Sequence, residues 1–164
     1  MKLKSANTHL LTGRVVEVYG ENLQSGIGKY SRSEYRGFSP EECFDEHLAK
    51  VGADHLWVAT INSKVVGLIG LIVNEKEAEI EPIIVSKPYR NKGVGRRLVK
   101  RVIAEAEKLG IRLLSVKPVA RNVEAIKSFY RQGFKNIGYI ELFMDFSKRR
   151  WKKGLKIFDL RFNF

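Results

Sequence analysis

The order of apolar patterns predicts an α/β fold in which an otherwise antiparallel sheet contains one parallel strand pair. Three observations carry this expectation. HLWVATI and VVGLIGLIV are separated only by the turn residues Asn62 and Ser63, which reads as an antiparallel hairpin. AEIEPIIV, ending at Val85, leads into a helical pattern in which Val94, Leu98, Val99, Val102, Ile103, Ala106 and Leu109 share one face, and Gly110 stops it. A further strand, IRLLSVKPV, follows that helix, and a strand–helix–strand passage within one sheet requires a right-handed crossover and parallel pairing.

The remaining elements follow in order. LKSA is a short possible strand, HLLTGRVVEVYGENL a helix candidate and GENLQSGIGKYSRSEYRGF a loop rich in Gly, Ser and Tyr. SPEECFDEHLAKVG carries agreeing helix-start signals, with Ser39 as cap, Pro40 at the first helical position, and Glu41 and Glu42 in the first turn. NVEAIKSFYRQ is a helix capped by Asn122 and ended by Gly133, and the chain closes with two strand candidates, IGYIELFMDF and LKIFDLRFNF. There are no repeats and no low-complexity tract.

Bulk properties bound the function. At 164 residues the chain suits a single domain spanning 1–164. No apolar stretch approaches the ~20 residues needed to cross a bilayer, and the N-terminus MKLKSANTH lacks the apolar core of a signal peptide, so a cytoplasmic protein without membrane contact is expected. The one cysteine, Cys43, fits a reducing compartment. The net charge of +12 is uneven: residues 1–80 carry 9 Lys/Arg against 11 Asp/Glu, and residues 81–164 carry 21 against 7. A basic C-terminal half attracts a polyanion or a phosphorylated small ligand.

YRNKGVGRR, residues 89–97, places Arg96 and Arg97 at the start of a helix, where the dipole disfavours cations. A missing anion resolves the conflict. A Walker A string is absent, and a Rossmann fingerprint fails because Leu98 stands where its third glycine belongs. What remains is Arg90-x-x-Gly93-x-Gly95 between a strand and a helix. Side-chain-free positions there let turn amides and unpartnered first-turn amides approach a phosphate, with Arg90, Lys92, Arg96 and Arg97 supplying charge. The plainer alternative is a glycine-softened turn with a solvated basic face.

AEIEPIIVSKPYRNKGVGRRLVKRVIAEAEKLGI followed by ARNVEAIKSFYRQGF resembles the GNAT superfamily of acetyl-coenzyme A dependent N-acetyltransferases. The first string is similar to that family's central strand, [QR]-x-x-G-x-[GA] loop and following helix. The second is similar to its N-x-x-A-x-x-[FL]-Y-x-x-x-G-F element. The resemblance implies a mixed, twisted sheet of six to seven strands flanked by about four helices, with a splayed parallel pair admitting acetyl-CoA. It implies that the amides of Arg90, Asn91, Lys92, Gly93, Val94, Gly95 and Arg96 bind the pyrophosphate. The backbone of Ile83, Ile84 and Val85 would pair with the pantetheine arm, with Asn122 and Phe129 also on the cofactor side. No metal is implied; His9, His47 and His55 show no ligand spacing, and Cys43 beside His47 reads as a packed thiol next to a surface imidazole.

Acetyl transfer to a primary amine needs a base, because a lysine-like amine is only about one part in a thousand neutral at pH 7. Glu79 and Glu81, two apart on one strand face, are the candidates, against the alternative that both are surface charges in EKEAEIE. An N–H at Ile84 or Val85 is the candidate oxyanion donor. Tyr130 matches the family's tyrosine and suits proton donation to the departing thiolate; alternatively it belongs to an apolar stripe with Val123, Ile126 and Phe129. The acceptor is a protein N-terminus, a lysine, a polyamine or a small amine. Tyr30, Arg32, Tyr35 and Arg36 are candidate lining residues, whose arginines suit an acidic group. A monomer or homodimer is expected. The competing reading is a non-catalytic module that binds nucleic acid or an acidic partner through SKRRWKKGLK, where six cations surround Trp151.

Overall fold

The computed structural model describes residues 1–5, 15–18, 20, 39–146, 150–151, 153–157 and 159–163. They fall into two units, Met1–Lys117 and Pro118–Phe164. The first unit holds a five-stranded sheet in the order β1-β2-β3-β4-β5. Its strands are β1 (Lys2–Ser5), β2 (Leu56–Ile61), β3 (Lys64–Asn74), β4 (Glu77–Val85) and β5 (Leu113–Ser115). The first four pair antiparallel in sequence, and β5 joins β4 in parallel, as the crossover requires. Asn62 and Ser63 both adopt left-handed φ, 48° and 61°, which matches the twist of the β2–β3 hairpin.

Helix α1 (Pro40–Val51) starts on a complete capping box: Glu42 N–H donates to Ser39 Oγ, and Ser39 N–H donates to Glu42 Oε2 at 2.6 Å. Residues 15–18 of the first helix candidate are helical, and Val15 and Val18 are buried with Phe44 and Val51 of α1 and Leu68 and Ile84 of the sheet. One sheet face therefore carries these helices. Helix α2 (Val94–Lys108) covers the other and buries Val94, Leu98, Val99, Val102 and Ala106. Close approach there requires Gly67, where a Cβ would lie 2.9 Å from Ile84 O and 3.2 Å from Leu98 Cδ1. Gly110, at φ 67°, ends α2: its N–H donates to Glu107 O and that of Ile111 to Ala106 O, which satisfies two terminal carbonyls.

The β3–β4 ladder shifts register where Gly70 of β3 faces both Glu81 and Pro82, since Ile69 pairs with Ile83 and Leu71 with Ile80. This bulge is what lets a proline, which cannot donate to the ladder, sit inside a central strand. Gly70 is obligatory beside it, because a Cβ would lie 2.6 Å from Glu81 O and 3.0 Å from Val51 Cγ1.

The second unit contains α3 (Val123–Arg131) and an antiparallel pair, β6 (Lys153–Ile157) with β7 (Leu160–Asn163). Several expectations need correction. Among the described residues the seven strands are divided into a five-stranded sheet and a two-stranded one. IRLLSVKPV contributes only Leu113–Ser115 as strand. IGYIELFMDF forms no strand, and its apolar side chains lie exposed, Tyr139 at 98%. LKIFDLRFNF contributes to two short strands rather than one, and β6 begins at Lys153 within the basic segment.

Replacing Gly70 by Ala is expected to destabilise the protein by ~1–3 kcal/mol through overpacking at the bulge. A urea titration checks this as a lower midpoint with unchanged slope; an unchanged midpoint contradicts the assignment.

Candidate active site

The anion seat begins where β4 ends. Arg90 Nε donates to Val85 O at 2.9 Å, so this guanidinium holds the loop against the strand it leaves. Asn91 and Gly93 then take left-handed φ, 59° and 78°, and turn the chain into α2. Gly93 is the N-cap and provides no side-chain cap, and the first turn of α2 contains no acid. The first-turn amides of Val94, Gly95 and Arg96 therefore end the helix without an internal acceptor. Around them Lys92, Arg96 and Arg97 are exposed, and Lys92 Nζ lies 5.8 Å from the Tyr89 ring centroid. Helix dipole and cations act in the same direction, leaving a strong site for an anion and none of its own. At Gly95 a Cβ would find Val85 Cγ2 at 3.7 Å, an ordinary contact, so the fold itself does not demand glycine there.

The second feature is a divergence. β4 pairs with β5 only at Glu77, Ala78 and Glu79, opposite Leu113, Leu114 and Ser115. Beyond Glu79 no described strand accompanies β4 on that side, so Ile83, Ile84 and Val85 present an open strand edge directly before the anion seat. Along β4 the burial alternates, with Ala78, Ile80, Pro82 and Ile84 buried and Glu79, Glu81, Ile83 and Val85 partly exposed. Glu79 accepts an ion-paired hydrogen bond from Lys117 Nζ. Sequence reasoning missed Lys117, which stands 38 positions from its partner.

The structure gathers Glu79, Glu81, Ile83–Val85 and Arg90–Arg96 along one strand and its following loop, and places the other candidates on α3. Asn122 Oδ1 accepts from Ala125 N at 3.2 Å and caps α3. Phe129 is buried against Phe134, edge to face with ring centroids 5.7 Å apart. Tyr130 is 57% exposed, and Lys135 Nζ lies 5.7 Å from its ring centroid. Tyr30, Arg32, Tyr35, Arg36 and His9 lie outside the described residues, as do the side chains of Cys43 and His47. Among the described residues no three His, Cys, Asp or Glu side chains gather as a metal site, and no helix is long and apolar enough to cross a membrane. Trp151 Nε1 donates to Asp145 Oδ2 at 2.6 Å and its ring lies 5.2 Å from Phe143, which engages the indole within the chain.

The sequence model of the acetyltransferase (GNAT) family matches residues 25–134, most of the first unit together with α3. The chain belongs to this family. Within GNAT proteins it is 30% identical over 153 residues to an uncharacterized N-acetyltransferase of Methanocaldococcus jannaschii, a match spanning 84% of this chain and 67% of that protein. Among solved structures it is similar to the ribosomal-protein-alanine N-acetyltransferase of Brucella melitensis, with a TM-score of 0.71 and 20% identity over 84% of this chain and 86% of the other. It is also similar to the PaiA N-acetyltransferase of Thermoplasma acidophilum, solved in complex with coenzyme A, with a TM-score of 0.60 and 20% identity over 80% and 88%. The GNAT fold of this chain is thus matched over most of its length, and the activity common to the family is acetyl transfer.

Gly95 separates binding from folding. Gly95→Ala is expected to leave thermal stability unchanged or raise it by up to ~1 kcal/mol, because Ala is the better helix former. The same variant should lose at least tenfold in affinity for coenzyme A by calorimetry, because a side-chain-free position in the first turn lets an anion approach its amides. A variant that binds as tightly as the wild type contradicts the cradle.

Proposed function

We propose that this protein is an N-acetyltransferase that moves the acetyl group of acetyl-CoA to a primary amine by direct attack, within one catalytic domain formed by the whole chain. The observation that carries the proposal is the continuity of the open β4 edge with an uncapped, cation-flanked helix start. The two features suit the two parts of one ligand. The amides of Asn91–Arg96 hold the pyrophosphate, that of Arg90 being donated to Lys87 O, and Lys92, Arg96 and Arg97 add long-range attraction. The backbone of Ile83, Ile84 and Val85 extends the sheet onto the pantetheine amides, replacing the strand that β5 does not provide. The resemblance of NVEAIKSFYRQGF to the family's motif assigns Asn122 and Phe129 to the cofactor as well.

Bound acetyl-CoA supplies an activated thioester carbonyl. The residues of the chain then manage protons and charge. A β4 carboxylate, Glu79 or Glu81, takes the proton of the incoming ammonium through water, so that a free amine attacks. An N–H at Ile84 or Val85 faces the charge developing on the carbonyl oxygen. Tyr130 donates its phenolic proton to the departing sulfur, and its exposure on α3 suits a group that must reach a ligand rather than fill a core. The acceptor is a protein N-terminus, a lysine, a polyamine or a small amine. The ribosomal-protein-alanine specificity named for the Brucella structure makes an N-terminal peptide the first to try.

Calorimetry with acetyl-CoA is expected to show stoichiometric binding that weakens as salt rises, and no binding at millimolar ligand contradicts the proposal. Tyr130→Phe should lower kcat by 10-fold or more with cofactor affinity within twofold of wild type. Release of free thiol with a panel of N-terminal peptides, polyamines and small amines identifies the acceptor.

A further inference from the structure

Residues 137–146 form an exposed apolar run that the proposed reaction does not use. Ile137, Tyr139, Leu142, Phe143, Met144 and Phe146 are each at least 66% exposed, and no helix or strand includes them. Single apolar residues are common on any surface, but so many large ones close together mark a site of interaction.

The run is joined to the most basic stretch of the chain. Trp151 Nε1 donates to Asp145 Oδ2 at 2.6 Å, and its ring centroid lies 5.2 Å from that of Phe143. Arg150 and Lys153, both exposed, are within two residues of Trp151, so at most about 7 Å of chain separates them from it. Lys156 and Arg161, also exposed, stand opposite each other across β6 and β7. Like charges so placed repel, and Asp159, 2.7 Å from Lys156 Nζ, offsets one of them. From residue 137 to residue 164 seven Lys/Arg stand against three Asp/Glu, so the surface suits an anion.

The side chains of the run choose among anionic partners. A second copy of the chain would bring one basic segment against another, which disfavours it. A single-stranded RNA would neutralise the cations and stack on Tyr139, Phe143 and Phe146, but Ile137, Leu142 and Met144 offer a base no ring. An anionic bilayer suits every member. Headgroup phosphates meet the cations, aliphatic side chains enter the acyl boundary, and aromatic ones favour the interface. The run has no ladder, so its backbone stays in the hydrated headgroup zone and only side chains dip further.

We propose that residues 137–146, together with Trp151 and the cations beside it, dock the protein on the surface of an anionic phospholipid bilayer. The apolar side chains anchor, the cations attract, and Trp151 holds the two side by side. None of these residues belongs to the candidate active site, so the proposal stands or falls independently of acetyl transfer.

Co-sedimentation of the full chain with phospholipid vesicles tests it. Vesicles of phosphatidylcholine with about 30% phosphatidylglycerol should bind at least tenfold more tightly than pure phosphatidylcholine, and binding should weaken as salt rises. Tyr139→Ser combined with Phe146→Ser should weaken binding at least tenfold. Both side chains are exposed, so an unchanged thermal midpoint is expected and shows that the variant folds. Arg150→Gln and Lys153→Gln should each cost about fivefold and flatten the salt dependence. The proposal is overturned if the wild type does not sediment with the anionic vesicles, or if the serine variant binds them as tightly. It is equally overturned if the wild type is a dimer that the serine variant turns into a monomer, since the run is then an interface between copies. Binding of oligouridylate that the serine variant loses, with no preference for anionic vesicles, would assign the surface to RNA instead.

Discussion

Everything in the site depends on how few residues of β5 accompany β4. Three pairs are made and then the strands separate, although β4 continues for six more residues. A central strand normally has both edges occupied, because unpaired backbone groups away from water are costly. Here β3 pairs along one edge of β4, and among the described strands only β5 pairs with the other, at Glu77, Ala78 and Glu79. The rest of the unit supports that opening. The bulge at Gly70 absorbs Pro82, Gly67 lets α2 press on the sheet, and Arg90 holds the end of β4 through Val85 O.

Charge follows the same logic. The other two α-helices with described starts are each capped by a side chain: Ser39 caps α1 and Asn122 caps α3, and each has an acid in or near its first turn. Only α2, among the helices with described ends, begins on glycine with no cap and no acid, and it is the one surrounded by exposed cations. An uncompensated positive helix end flanked by cations suits an anion. The diphosphate of coenzyme A supplies one of suitable size and charge.

Much of this was legible from local chemistry. The Asn62–Ser63 turn, the Ser39 box, the apolar face of α2 and the Asn122 cap each depend on residues within a few positions of one another, and each appears as expected. What escaped depends on partners distant in sequence. The length of β5 is set by where β4 stops accepting it, which nothing in IRLLSVKPV encodes, and the Glu79–Lys117 pair joins positions 38 apart. IGYIELFMDF has the composition of a strand but no ladder, since β propensity describes fit to a neighbouring surface more than a backbone preference. Pro82 was the one overlooked local signal: a proline inside an apolar strand run marks a bulge, and Gly70 opposite it completes the mark.

The central claim is that the open edge of β4 and the start of α2 bind one ligand together. Amide hydrogen exchange with and without coenzyme A measures this directly. Joint slowing of exchange in residues 83–85 and 91–96, with the β2–β3 hairpin unchanged, is the predicted result. Slowing confined to 91–96, with 83–85 exchanging as in the free protein, would mean that the seat takes an anion and the strand edge serves no cofactor.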